Sequence, residues 1–256
     1  MSDAVELRTD RPHPARIYNY LLGGEDNFAA DRAAAEAGLA VNPGAKVTAR
    51  SNREFLRRVV TFLTGVGIDQ FLDVGSGIPA ADSTHLVAPD ASVVYVDYDP
   101  LVVSLGADEP GRVHYAQADL REPNRVLARA GELLDLTRPV GLLLVAVTHH
   151  LQDAEDPHAR VRRLVEALPA GSYLALSQLT SDFLPDEWRA IERDSGRRGV
   201  VLRARPGPEI ARFFEGLDLV EPGLTPVHRW RPDDRDRQSD QPDEVVSILG
   251  AVARTP

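Results

Sequence analysis

The residues able to do chemistry together begin with Asp73-Val-Gly75-Ser76-Gly77 and continue with Asp97 and Asp119. Phe71 to Val74 reads as the end of a short buried strand, Gly75-Ser76-Gly77 as a turn, and Ala80 to Val87 as a following helix. Glycines there let the backbone approach a nucleotide-like ligand closely. Asp97 closes a second apolar strand, Val93-Val-Tyr-Val96, and lies 22 residues beyond Gly75. A carboxylate at about 20 residues is where such folds hydrogen-bond a ribose diol. The same pattern also fits a plain βαβ turn with a helix-capping Asp. Asp119 follows a third strand, Val113 to Ala116, where it is within reach of an adenine amino group or caps the helix after Pro123.

The elements that must position these residues alternate from residue 69 onward. Strands are predicted near 70–74, 92–97, 112–116, 140–147 and 172–178, and helices near 80–87, 100–106, 122–131 and 157–168. Val140 to Val147 is a continuous apolar run, as in a central parallel strand covered on both faces. The alternation predicts an α/β fold with a doubly wound, Rossmann-like, mostly parallel sheet. Leu224–Trp230 and Glu244–Ala253 read as a C-terminal antiparallel hairpin around the charged stretch Arg231–Asp243, and Pro185–Asp194 and Glu209–Phe214 as helices. Ahead of the sheet, helices are expected over His13–Leu22, Asn27–Leu39 and Ala45–Leu63, broken by Gly23-Gly24 and Asn42-Pro43-Gly44. The expected organisation is a disordered tail (1–12), a helical extension (13–66) and a Rossmann-like domain (67–256), forming one structural unit.

Composition narrows the function. The 256 residues carry a formal net charge of −10, with 43% hydrophobic and 27% charged residues and no cysteine. Disulfides, thiolate zinc sites and cysteine nucleophiles are excluded, and the acidic balance disfavours nucleic acid or anionic membranes as partners. Met1 to Glu6 has no apolar signal core and no run approaches a membrane span, so the expected location is the cytoplasm. His149, His150, Asp153, Asp156 and His158 suggest a metal set, but adjacent histidines in a strand-like segment point to opposite faces, and no metal is expected.

Two ligand classes fit the glycine turn, a dinucleotide and S-adenosylmethionine. Ala80 stands in the place of a third fingerprint glycine, so the loop does not separate them. Asp73 favours the second class: an acid there suits a cationic amino-acid end, or the orientation of the glycine loop, and does nothing obvious for a pyrophosphate. Asp73-Val-Gly75-Ser-Gly77, Tyr95-Val-Asp97-Tyr-Asp99-Pro100 and Gln117-Ala-Asp119-Leu120 resemble successive motifs of class I S-adenosylmethionine-dependent methyltransferases. More closely, Pro14 to Phe28, Thr148-His149-His150-Leu151 and Pro169 to Leu174 resemble an actinobacterial methyltransferase family with unassigned substrate. The resemblance covers about residues 11–255. Asn19 stands where the family resemblance leads one to expect Asp, and Pro79 where the wider class often has glycine.

The resemblance implies S-adenosylmethionine as cofactor and a small-molecule acceptor as partner. It places Asp73, Gly75, Ser76 and Gly77 at the methionine end, Asp97 on the ribose, Tyr98 on the adenine, and Asp119 and Leu120 around the base. Thr148 and His149 would line the floor near the methyl group, and Arg16, Tyr18, Tyr20, Gly23 and Asn27 would belong to a lid spanning residues 13–40. His149, then Tyr18, are the candidates for a catalytic base, which is needed only where the acceptor must lose a proton. The alternatives left open are an NAD-dependent oxidoreductase and a non-catalytic S-adenosylmethionine-binding regulator.

Overall fold

Five segments pair in parallel, the central ones buried on both faces, as Gln70–Val74 (β1) is along its whole length. The structure is a computed structural model and describes residues 7–106, 108 and 111–256. β1, Ser92–Asp97 (β2), Val113–Gln117 (β3), Gly141–Val145 (β4) and Tyr173–Leu179 (β5) stand in the order β3-β2-β1-β4-β5. The order reverses between β1 and β4, and such switch points open a crevice at the strands' carboxyl ends. Ile248–Arg254 (β8) runs antiparallel beside β5 and carries two short antiparallel partners, Asp218–Leu219 (β6) and Thr225–Pro226 (β7).

Alternation along the strands divides the core. Leu72 and Val74 join one apolar layer together with Pro123–Leu133 (α6 in chain order) and Pro157–Val165 (α7). Phe71 joins the other, where Phe55, Leu56, Val59, Val60 and Leu63 of the long helix Ala45–Gly65 (α3) cover the sheet. α3 therefore belongs to the sheet's own core. Pro14–Leu22 (α1) and Ala29–Val41 (α2) form a hairpin beyond it, with α2 lying against Pro185–Arg197 (α8). The remaining helices are short: Thr84–Val87 (α4), Pro100–Leu105 (α5), Gly207–Ala211 (α9) and Asp243–Val246 (α10).

Several expectations need correction. The helix expected over 80–87 forms only at Thr84–Val87, since Pro79 precedes it and Ser83 Oγ accepts from the Ala80 N–H. The strand expected over Leu224–Trp230 shrinks to Thr225–Pro226, because Pro226 has no N–H for the ladder. Beyond it Arg58 turns the chain by donating to the carbonyls of Val227 (2.5 Å) and Trp230 (2.8 Å), which seats Trp230 edge-on against Phe55 and Phe62. The strand expected from Glu244 starts at Ile248, after a helical turn that ends on Ser247 at φ 44°. Of the tail expected to be disordered, residues 1–6 lie outside the described residues. The carbonyls of Arg8 and Arg11 accept from the Arg16 guanidinium.

The α1–α2 hairpin is held by buried charge. Arg16 places Nε 3.3 Å from Asp99 Oδ2 and Nη1 3.7 Å from Asp31 Oδ2, and all three residues are buried. Asp31 also accepts from the N–H groups of His13 and Phe28, each at 2.8 Å. Truncating one partner of a buried pair costs about 3–5 kcal/mol, because the other charge stays in the interior. Arg16→Met is therefore expected to lower unfolding free energy by about 3–5 kcal/mol in urea titrations. A loss below about 1 kcal/mol would mean that the hairpin docks through its apolar contacts alone.

Candidate functional site

The carboxyl ends of β1, β2, β3 and β4 open into one cleft, roofed by the start of α1. Asp73, Gly75, Ser76, Gly77, Asp97, Tyr98, Asp119 and Leu120 all line it, together with Tyr18 from above. Six sites' worth of sequence separation is thus collapsed onto one edge of the sheet, at the switch point between β1 and β4.

The glycine turn is shaped by two contacts. Gly75 has φ 73°, and a Cβ there would meet Val147 Cγ2 at 2.2 Å, so this position needs glycine both for its backbone and for its neighbour. Gly77, at φ 68°, faces open space. Its N–H donates to Asp97 Oδ2 at 3.0 Å, while the Asp99 N–H donates to Asp97 Oδ1 at 2.9 Å. Asp97 thus fixes the glycine loop as well as facing the cleft. Asp73 accepts only from Thr84 Oγ1, at 2.9 Å, among the described residues. Ser76 Oγ is buried without a partner. Burial pushes both carboxyl pKa values up to about 6, against the lowering effects of Thr84 and Arg53 on Asp73 and of backbone N–H groups on Asp97.

The other walls differ in how free they are. Tyr98 is half-exposed, with its ring 4.5 Å from that of His13. Asp119 accepts from the Arg121 N–H at 2.8 Å and pairs with its guanidinium. The Tyr18 hydroxyl is spent: it donates to the Ala49 carbonyl and accepts from Asn52 Nδ2, each at 3.0 Å, and burial raises its pKa to about 12. It stays protonated at neutral pH and so cannot act as a base.

Some expected residues lie elsewhere. Thr148, His149 and His150 form a 3-10 turn, not a strand, so the histidine rings sit 4.5 Å apart instead of on opposite faces. Thr148 is turned inward, donating to Gln178 Oε1 at 2.8 Å, and lines no cavity. His149 faces a neighbouring cavity, and it is His150 that borders the cleft. Arg16, Gly23 and Asn27 hold the hairpin together and do not line the cleft. Asn27 Nδ2 donates to Asn19 Oδ1 and the Gly24 carbonyl, each at 2.8 Å, which makes Gly23-Gly24 a bonded turn. Asp153 pairs with Arg203 and Arg205, and Asp156 caps α7.

Sequence reasoning missed His13, Pro14, Ala15, Asn52, Arg53, Arg121 and the loop Val145–Val147, all of which line the cleft. Asn52 had a signal: Thr48, Asn52, Phe55 and Val59 share one stripe of α3, and a polar residue on a core-facing stripe needs a reason. Ala146 has φ 59°, unusual for a residue with a side chain, and is held there by Ser177, whose Oγ accepts from its N–H at 2.9 Å.

A family model for S-adenosyl methyltransferases matches residues 2–256. A crystal structure of a DUF574 family protein from Streptomyces avermitilis superposes with a TM-score of 0.93 and 42% identity, covering 98% of this chain and 100% of that one. A methyltransferase candidate from Thermobifida fusca gives a TM-score of 0.88 and 37% identity, covering 97% of each chain. The N-methyltransferase NodS from Bradyrhizobium japonicum, in complex with S-adenosyl-L-homocysteine, shares the fold at a TM-score of 0.50 and 16% identity, over 94% of this chain and 99% of that one. No curated protein matches the sequence.

The raised acid pKa values have a consequence for stability. Between the unfolded value of about 4 and the folded value of about 6, the folded protein holds a proton on Asp73 that the unfolded chain has lost. The carboxyl's contribution therefore falls as pH rises through this window and is unfavourable above it. Without ligand, Asp73→Asn is expected to gain stability relative to the parent between about pH 5 and pH 7.5, measured by urea unfolding at both. A variant that loses ground over that interval would show that the ionised carboxylate braces the fold.

Proposed function

This chain belongs to the S-adenosyl methyltransferase family, and on that premise we propose that it transfers a methyl group from S-adenosylmethionine to a small-molecule acceptor, the cofactor lying in the cleft between Asp73 and Asp97. The observation that carries this placement is the pair of buried carboxylates at neighbouring strand ends. Both face one cleft, and neither is ion-paired among the described residues.

The residues suit the group. Asp73 has an oxygen without a hydrogen bond, fit for the ammonium of a methionine end. Asp97 accepts from the backbone N–H of Gly77 on Oδ2 and of Asp99 on Oδ1 and keeps lone-pair capacity for the ribose hydroxyls. Ser76 Oγ is an orphaned buried hydroxyl beside them, and above Gly77 there is room that a Cβ would enter. Tyr98 and Leu120 would flank the adenine, with Asp119 at its amino group. A pyrophosphate in the same place would face two carboxylates, which disfavours a dinucleotide.

Bound there, S-adenosylmethionine supplies a methyl group already activated on a sulfonium. The chain's own work is to bind, to orient and to keep water out. Pro14, Ala15 and Tyr18 roof the cleft, and Arg16, Gly23 and Asn27 set that roof. Tyr18 is assigned to the wall, not to proton transfer, and Thr148 to the support of the turn. The net charge of −10 supports a small acceptor over a nucleic acid.

Asp97→Ala is expected to weaken S-adenosylmethionine binding by roughly 30- to 1,000-fold in isothermal titration, since a charge-assisted pair worth about 2–4 kcal/mol is lost. Unchanged affinity would remove the ribose assignment. Hydrogen exchange tests the roof: cofactor should protect residues 13–30 as well as 73–79. Protection confined to 73–79 and the surroundings of Asp97 would reduce the hairpin to edge packing.

A further inference from the structure

Beside the cleft lies a second cavity of about 150 Å³. Pro14, Tyr18, Asn52, Ala146 and His150 border both. The second cavity lies between the α1–α2 hairpin, α3 and α8. Leu21, Ala35, Leu39, Leu179, Trp188 and Ile191 give it an apolar lining.

Its polar groups are few, and most are already used. Tyr18 and Asn52 bond to each other, to the Ala49 carbonyl and to Ser177 Oγ. Asp194 and Arg198 pair with each other. No arginine or lysine on its wall is left without an acid, so a phosphorylated or carboxylate-rich ligand has nothing to balance its charge. The exceptions, among the described residues, are the partly exposed side chains of Asn42 and Ser195 and the two histidines. Neither ring nitrogen of His149 has a hydrogen bond among the described residues, and its Nδ1 is sealed from solvent.

His150 is more specific. Its Nδ1 lies 2.8 Å from the Val201 carbonyl oxygen. A carbonyl can only accept, so Nδ1 carries the hydrogen. Burial, helped by the charges of His13 and Arg121 and opposed by the Val201 bond, holds the ring's pKa down to about 4. The imidazole is therefore neutral at physiological pH, and its lone pair is on Nε2. That atom has no protein partner among the described residues, and His150 stands where the two cavities meet.

We propose that the second cavity binds the methyl acceptor, and that the acceptor is a flat, mostly apolar molecule with one hydroxyl or N–H group that donates to His150 Nε2. This rests on reading the first cleft as the cofactor site. The apolar walls take the body of the molecule, and the single hydrogen bond turns its heteroatom toward the junction. A ligand without a donor leaves Nε2 buried and unpaired, which is the basis for discrimination.

The test uses 2-naphthol as the probe and naphthalene as its donor-free counterpart, titrated into the full chain. Gly38 lines the second cavity only, and a Cβ on it would meet nothing within 4 Å, so Gly38→Phe fills the cavity without a backbone clash. The parent protein should bind 2-naphthol at least fivefold better than naphthalene. Gly38→Phe should lose at least tenfold in 2-naphthol affinity while its S-adenosylmethionine affinity stays within twofold, and Gly38→Leu should lose less. His150→Ala should erase the preference for naphthol over naphthalene. Failure of the parent to bind 2-naphthol, equal binding by Gly38→Phe, or a preference that survives in His150→Ala would each overturn the proposal. If the parent bound 2-naphthol as expected but not S-adenosylmethionine, the cofactor placement would fall, and with it the assignment of this cavity to a methyl acceptor.

Discussion

The buried contact between Arg16 and Asp99 sets the geometry on which the cleft depends. Asp99 lies two residues beyond Asp97, accepts from the Leu101 N–H as the cap of α5, and faces both Arg16 and His13. Asp31 draws the same arginine toward α2. The roof helix is thus referenced to the end of β2, the strand that presents the proposed ribose acid. A buried ion pair gains little net stability over a well-packed apolar contact, but it tolerates few alternative arrangements. Here that restriction places Pro14, Ala15 and Tyr18 over the glycine turn and not elsewhere along the sheet edge.

The same edge contains the opposite arrangement. Asp73 and Asp97 are as buried as Asp99 but have no cation of their own. Their raised pKa values report a desolvation cost that Thr84 and Arg53 beside Asp73, and backbone N–H groups at Asp97, offset only in part. The buried acids at this sheet edge therefore differ in their partners: Asp99, behind the cleft wall, is paired with Arg16 and ties down the roof, whereas Asp73 and Asp97 face the cleft without an ion pair among the described residues. Perturbed acids in a cleft are the usual mark of such a site.

Legibility in the sequence followed local determination. The central parallel strands could be read because burial on both faces leaves a largely apolar run, and the observed limits of all five fall within two residues of the expected ones. The glycine turn and the strand-end acids were legible because one turn geometry fixes their spacing. The antiparallel C-terminal strands were legible as such but not in their limits, since Arg58, far away on α3, decides where the chain turns. His13 and Asn52 escaped for a similar reason. As a helix cap and a helix-stripe residue they satisfy local rules completely, and only the docking of α1 across α3 makes them walls. The paired histidines misled because an extended segment was assumed where a tight turn forms.

That turn also explains how one short segment serves two cavities. A 3-10 helix has 3.0 residues per turn, so consecutive side chains diverge by about 120°. Thr148 accordingly points into the sheet layer toward Gln178, His149 into the second cavity and His150 to the junction. The turn's carbonyls would be costly to leave unpaired in this interior. Arg205, fully buried, answers them: it donates to the carbonyls of Thr148 (3.2 Å) and Leu151 (2.8 Å) and to Gln178 Oε1 (3.3 Å), and pairs with Asp153. The backbone N–H of Arg203 adds a bond to the His149 carbonyl at 2.8 Å. The segment after α8 is therefore what holds the histidines in three-way divergence. The orientation of His150 at the meeting of the cavities follows from a buried guanidinium more than fifty residues away in sequence.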